Sequence, residues 1–267
     1  MLLRVIHFYS GVSSSLKSLR FLLVARLLTG LLVGFLALLV GCSSSEKKAE
    51  TPEAAFAEAE EFDKAERYDE AIKRYYEVRN KFAYSRFATK AALAIADAHF
   101  KQESFPEAQI AYQTFKDLHP KHPQIDYVSF QIGMSYYKQL PPTVDRDLTL
   151  AASAISQFEE VEVRFPNSEH AKKASELKQD CLKQLAGKEE YIADFYFKKS
   201  QYDSALSRYE GLLSKYPNLG FDARALSQSA IAAFRSGELE RARNYLRQLE
   251  VKFPNTAEAQ SALKEVR

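Results

Sequence analysis

Tyr202-Asp203-Ser204-Ala205-Leu206-Ser207-Arg208-Tyr209-Glu210-Gly211-Leu212-Leu213-Ser214-Lys215-Tyr216-Pro217 is the stretch whose reading decides the fold. Three positions in it act as a ruler: Ala205, Tyr209 four residues later, and Tyr216-Pro217 closing the segment. Laid from Ala71, Ala108, Ala154 and Ala242, the same ruler finds Tyr75, Tyr112, Phe158 and Leu246 at the second mark. At the third it finds Phe82-Ala83, His119-Pro120, Phe165-Pro166 and Phe253-Pro254. Upstream of the anchors by the same interval as the prolines stand Ala59, Ala96, Ala193 and Ala230, and the third repeat alone breaks this match. Antiparallel helices approach closely only where side chains are short, an aromatic fills the space one turn further on, and proline cannot continue a helix. The recurrence therefore predicts an all-α chain of five helix pairs.

These offsets resemble the tetratricopeptide signature, and the intervals from Ala71 to Ala108 and from Ala205 to Ala242 lie near the ~34 residues of that repeat. The resemblance implies a tetratricopeptide-repeat superhelix over residues 55–267, with pairs at approximately 55–86, 87–122, 123–186, 187–220 and 221–256. In the third repeat the small residue is Gly133, with Tyr136 after it, and the distance to Ala154 exceeds the standard interval by nine residues. The excess falls around Gln139-Leu140-Pro141-Pro142-Thr143-Val144-Asp145 and is expected to be an inserted loop. Helix-forming residues from Ala171 to Ala186 then predict that this repeat is extended by a longer second helix ending at Gly187, followed by the fourth pair. Turns inside pairs are expected at Arg67-Tyr68-Asp69, Ser104-Phe105-Pro106, Gln201-Tyr202-Asp203 and Ser236-Gly237-Glu238.

The N-terminus follows a different rule. Residues 1–41 carry Arg4, Lys17, Arg20 and Arg26 but no acid, and run apolar from Leu27 to Val40, too short for the roughly 20 residues of a spanning helix. This is a basic region followed by an apolar one, as in an export signal. Leu39-Val40-Gly41-Cys42 resembles the bacterial lipobox, which implies a signal peptide at 1–41 and lipid attachment at Cys42, as N-palmitoyl and S-diacylglycerol cysteine. More than one acyl chain is the condition for stable anchoring. Ser43 after the cysteine implies, by the same resemblance, the outer membrane. Residues 42–54, with Ser43-Ser44-Ser45-Glu46-Lys47-Lys48 and Pro52, are expected to form a lipidated flexible tether.

Composition excludes more than it assigns. The chain has 37 basic residues, of which the leader's four are removed to leave 33, against 35 acidic. That balance gives no electrostatic case for nucleic acid as a partner. With Cys42 lipidated, Cys181 is the one remaining thiol, so no internal disulfide is expected and Cys181 reads as a small core residue. No phosphate-binding glycine loop and no nucleophile elbow occur, so the chain is read as a non-enzyme with no cofactor. The closest mature histidines, His119 and His122, sit in His119-Pro120-Lys121-His122-Pro123, which reads as an inter-repeat turn and not as a metal site. Carboxylates beside lysines and arginines, such as Glu66 and Glu70 near Lys73 and Arg74, read as a solvated face. The aromatics exceed what the ruler uses. Those at its offsets (Tyr75, Tyr136, Tyr196) are assigned to the core, while off-register ones (Tyr76, Tyr127, Phe130, Tyr137, Tyr191, Phe195, Phe197) are candidates to line a groove for an extended peptide. The Lys and Asn clamp by which some such repeats hold a terminal carboxylate is not visible, because the first helices of repeats one and two contain no Asn.

Longer strings narrow the family. His122-Pro123-Gln124-Ile125-Asp126-Tyr127-Val128, then Gly133, Asp145-Arg146-Asp147, Phe158, Arg164, Phe165-Pro166-Asn167-Ser168-Glu169-His170-Ala171 and Tyr191-Ile192-Ala193-Asp194-Phe195-Tyr196 resemble the BamD family, lipoproteins of the outer-membrane β-barrel assembly machinery. The likeness covers nearly all of residues 55–256. It departs at Lys81-Phe82-Ala83-Tyr84-Ser85-Arg86-Phe87, where the family's Pro and Gly are missing. The resemblance implies a lipid-anchored scaffold on the periplasmic face of the outer membrane. Its implied partners are the barrel-forming insertase subunit, other lipoproteins of the complex, and unfolded outer-membrane protein precursors. Carried over to the first repeats, where no strict motif marks single residues, it implies a substrate-peptide groove near Tyr75, Arg79, Tyr84, Phe87 and His99. It also implies an insertase-facing surface around Arg208, Arg224 and Arg235. For Asp145-Arg146-Asp147 the simplest role is capping of the helix before Ala151, and the alternative is an Asp-Arg pair that orients the inserted loop. The alternative is a different envelope tetratricopeptide lipoprotein, serving pilus or secretin assembly or coordinating cell-wall synthesis.

Overall fold

Among residues 50–266, which the computed structural model describes, every regular element is an α-helix. In chain order they are α1 (Pro52–Lys64), α2 (Tyr68–Lys81), α3 (Arg86–Lys101), α4 (Phe105–Leu118), α5 (Ile125–Lys138) and α6 (Thr149–Arg164). There follow α7 (Ala171–Lys198), α8 (Tyr202–Lys215), α9 (Asp222–Arg235), α10 (Leu239–Lys252) and α11 (Ala257–Val266). Each helix packs on the next along the chain, and α11 lies against both α9 and α10. The expectations for the signal peptide and Cys42 fall outside the described residues. The expected tether is shorter at its far end, because Thr51 caps α1 through its hydroxyl to the Ala54 N–H at 3.2 Å and Pro52 occupies the first turn. Proline is favoured there, since its missing N–H would have had no partner.

The turns inside pairs repeat one backbone device. In α1–α2, α3–α4, α7–α8 and α9–α10 the connection is three residues, and its middle one (Glu66, Glu103, Ser200 or Gly237) has a positive φ of 58°, 62°, 58° or 86°. The N–H of the next residue then returns to a carbonyl five positions back, at Phe62, His99, Tyr196 and Ala233. This satisfies carbonyls that the helix end leaves open. The ends of the second helices are equally alike. Phe82, His119, Phe165, Tyr216 and Phe253 take φ between −121° and −136°, and each donates its N–H to the carbonyl four residues back. Four of the five precede a proline, which disfavours the helical region for the residue before it. Phe82, half-buried against the first core, reaches the same conformation before Ala83, so a following proline is not required for it.

The third pair differs from its neighbours. Residues 139–148 join α5 to α6; Asp147 accepts from the Thr149 N–H at 2.9 Å, and Lys188 on α7 donates to the Arg146 carbonyl. The long helix is placed otherwise than the sequence reading has it. It is α7, 28 residues running through Gly187 without a break, and it serves as the first helix of the fourth pair. Gly187 lies under the inserted connection, where an added Cβ would meet Val144 at 3.4 Å.

The ruler residues are the core. Ala59, Ala71, Ala96, Ala108, Ala154, Ala193, Ala205, Ala230 and Ala242 are wholly buried, as are Tyr112, Phe158 and Tyr209. At Gly133 even a methyl is too large, since a Cβ would stand 2.7 Å from the Phe158 ring. Polar ties run across pairs in the same register. Asp97 on α3 accepts from the Tyr112 hydroxyl on α4 at 2.6 Å and from the Tyr127 hydroxyl on α5 at 2.8 Å. Asp194 on α7 accepts from Tyr209 on α8 and from Arg224 on α9, the latter at 2.6 Å. In both cases a carboxylate just after a small anchor residue clamps the next two helices. Cys181 is buried in the third core, and burial pushes its thiol up to about 12.

Candidate functional site

A groove of about 730 Å³ opens on the first two pairs, with α3 as its floor and α2 and α4 as its walls. α3 can serve as a floor because it is packed on two sides. Ala91, Ile95 and Ala98 enter the first core, and Leu93 and Ala96 enter the second. What it shows to the groove is mostly small: Ala88, Thr89, Ala92, the edge of Ile95, and His99. The α4 wall presents Ile110, Thr114 and Leu118 at helical spacing, with Ile110 and Leu118 62% and 69% exposed. Tyr76, 37% exposed, and Arg79 form the α2 wall. Leaving several large apolar side chains open in one concavity is costly for a free protein and is the usual mark of a binding surface.

Charge is sparse in the groove and placed at its ends. The Arg79 guanidinium stacks over the Tyr76 ring at 4.5 Å and makes no ion pair among the described residues. Because α2 and α4 run antiparallel to α3, Arg79 shares its end of the groove with Ala83, Ala88, Leu118 and His119. His99 and Glu107 lie at the opposite end. Burial holds the His99 imidazole below its ordinary value, against the opposing pull of Glu107 and Asp69.

Of the residues expected at a peptide groove, Arg79 and His99 line it. Tyr75 and Phe87 do not, and the assignment is corrected. Both are buried in the first core, where each packs on Phe56 with ring centroids 5.3 and 5.6 Å away. Tyr84 is fully exposed in the α2–α3 joint and is not among the lining side chains. Sequence reasoning missed Ile110 and Leu118. The available signal was that they are apolar yet off the ruler, with Ala108, Tyr112 and Phe115 already filling the core face of α4. Of the off-register aromatics, Tyr76 lines the groove, Tyr127 bonds to Asp97, and Phe130 stacks on His170 at 5.1 Å.

The three arginines expected to face an insertase are each tied within the chain. Arg208 reaches Glu189 at 3.2 Å, Arg224 reaches Glu190 and Asp194 at 2.7 and 2.6 Å, and Arg235 reaches Glu265 at 3.0 Å and the Tyr202 hydroxyl at 3.2 Å. Each is part-exposed and bridges two helices of the chain. Among the described residues no cluster of histidine, cysteine and carboxylate side chains could hold a metal, and no helix is long and apolar enough to cross a membrane.

The helix pairs, their repeated turns and the concave groove define a tetratricopeptide-repeat protein, and residues 224–256 match the model of that repeat. A family model described as outer membrane lipoprotein, YfiO, matches residues 48–232, and the chain belongs to this family. Its relatives include the outer membrane protein assembly factor BamD of Neisseria meningitidis, 28% identical over 213 residues that cover 76% of this chain and 80% of that one. BamD of Rickettsia prowazekii is 28% identical over 191 residues, covering 71% and 75%. BamD of Vibrio cholerae is 25% identical over 202 residues, covering 72% and 83%.

Proposed function

We propose that this chain is a non-catalytic scaffold of the outer-membrane β-barrel assembly complex. In this reading Cys42 carries the lipid that holds it to the periplasmic face of the outer membrane, with residues 1–41 removed and the segment before α1 acting as a tether. The first two pairs receive unfolded outer-membrane protein precursors, and the fourth and fifth pairs, around Arg208, Arg224 and Arg235, face the insertase subunit. Other lipoproteins of the complex dock on the same stack.

The observation that carries the reading is the groove. Its floor of small side chains admits a backbone closely, and Ile110, Leu118 and Tyr76 offer apolar contact that a folded, polar surface would not repay. A precursor that has yet to fold exposes such apolar segments. The names of the relatives and the family to which the chain belongs point to the same process. Depletion of this protein is expected to lower the amount of folded barrels in the outer membrane. Normal barrel levels after depletion would reject the assigned process.

A further inference from the structure

The fourth pair breaks the repeat on one face. Two residues after the small anchor of a first helix stand Ala98 on α3, Ser135 on α5 and Ala232 on α9, all wholly buried. The same offset on α7 is Phe195, 51% exposed, with Tyr191, 53% exposed, one turn before it. Together with Lys188 and Lys198 these rings make one stripe of α7, at successive intervals of three, four and three residues. We propose that this stripe is a membrane-contact surface, with Tyr191 and Phe195 entering the headgroup layer of a phospholipid bilayer and Lys188, Lys198 and Lys199 meeting anionic headgroups. This rests on the reading of Cys42 as a lipid anchor and adds what an anchor on a tether leaves open, the face that the stack turns to the membrane.

Charge on the stripe is of one sign. Glu189, Glu190 and Asp194, the acids of this segment, are bound by Arg208 and Arg224 on α8 and α9. Lys188 donates to the Arg146 carbonyl, which leaves its charge in place, and the Lys199 ammonium lies over the Phe195 ring at 6.0 Å. Lys198 is exposed and makes no ion pair among the described residues. Rings bracketed by lysines suit a bilayer surface, where aromatic side chains sit at headgroup level and lysine stems run along apolar surface with their charge in water. Size favours lipid over a protein partner. Half of the about 150–250 Å² that each aromatic side chain can bury gives roughly 200 Å² for the two, against about 800 Å² that a stable protein interface takes from each side. For a chain already held at the bilayer so small a patch is enough, because the second contact is then intramolecular and acts at high effective concentration.

The chain contains no tryptophan, so Tyr191→Trp gives the full-length lipoprotein a single fluorophore on the stripe. Val251→Trp, at an exposed position of α10, is the comparison. Each is placed in vesicles of phosphatidylethanolamine and phosphatidylglycerol, with and without doxyl-labelled lipid, and flotation reports whether the chain is bound. The indole at 191 is expected to be quenched about twofold or more by the labelled lipid and to shift to the blue, and the indole at 251 to do neither. Adding Phe195→Asp, or Lys198→Glu with Lys199→Glu, to the Tyr191→Trp chain is expected to abolish the quenching while flotation persists, and high salt to weaken it. Flotation without quenching at 191 overturns the proposal and leaves the anchor standing. A chain that does not float overturns both. A shift at 191 that follows the number of chains per vesicle and not the labelled lipid assigns the stripe to a second copy. One that appears only in native outer membranes assigns it to a protein partner, and either result overturns membrane contact.

Discussion

Asp97 shows how one side chain can hold three helices and what that costs. Its Oδ1 takes both tyrosine hydroxyls, while burial, outweighing those two bonds, raises its pKa above the usual aspartate value. A carboxyl whose folded pKa lies above its unfolded value keeps its proton longer in the native state. Stability from this group is thus greatest below the unfolded value of about 4 and declines as pH rises through the raised folded one. Asp97→Asn retains an acceptor for both hydroxyls and removes the charge. Urea unfolding from pH 4 to 8 should show a flatter profile than the parent, with stability at pH 7 changed by less than about 1 kcal/mol. Asp97→Ala leaves the Tyr112 hydroxyl buried without an acceptor and should cost about 2 kcal/mol at pH 4, the loss shrinking as pH rises and the parent gives up the same contribution. A steeper profile for the Asn variant would refute the account. The carboxylates at 97 and 194 stand in the sequence directly after Ala96 and Ala193, but nothing in the repeat pattern singles them out. Their partners lie 15 and 30 residues away, beyond what the pattern within one helix can reveal. The groove was partly legible for the same reason. Arg79 and His99 face it, whereas Tyr75 and Phe87 are aromatics that the first core takes for itself.

Elements were read well where a small residue, an aromatic and a proline recur, and less well where one glycine had to be interpreted. Gly187 resembles a helix end, but a terminating glycine needs a left-handed backbone, and none is present at 187. Ala174, Leu177, Cys181, Ala186 and Ala193 keep a buried stripe continuous on both sides of it, so packing carries the helix through. Gly187→Ala should therefore stabilise the protein by up to about 1 kcal/mol, because the methyl meets Val144 at ordinary contact distance and the backbone gains helix preference. Destabilisation would mean that the inserted connection cannot give way. Ser200 argues the opposite case. It holds a φ of 58° in the α7–α8 turn, where Gly237 does the same task without a Cβ in the last pair. Ser200→Gly should raise the unfolding midpoint by the equivalent of about 1 kcal/mol, while glycine at Gln201, which lies outside the left-handed region, should not.

At the scale of the molecule the core is a series of separate clusters, each closed by neighbouring helices, so stability is close to a sum of local terms. The groove at one end and the last pair at the other share no side chain. What closes the far end is α11, whose Ala259 and Ala262 cover Leu226, Ile231 and Leu249. It is fastened by Ser227 to the Glu258 carbonyl at 3.0 Å and by Arg235 to Glu265. Arg235 therefore has a structural partner that an insertase would have to share or displace. A chain ending at Thr256 would open that cluster to water, at about 1.5–3 kcal/mol for each large side chain uncovered. Hydrogen exchange should then show α9 and α10 losing protection by two or more orders of magnitude, while α1 to α4 exchange as in the parent and peptide binding in the groove persists. Loss of protection throughout would show a single cooperative unit. In that event the two ends could not act as independent docking surfaces, and occupancy of one would be felt at the other.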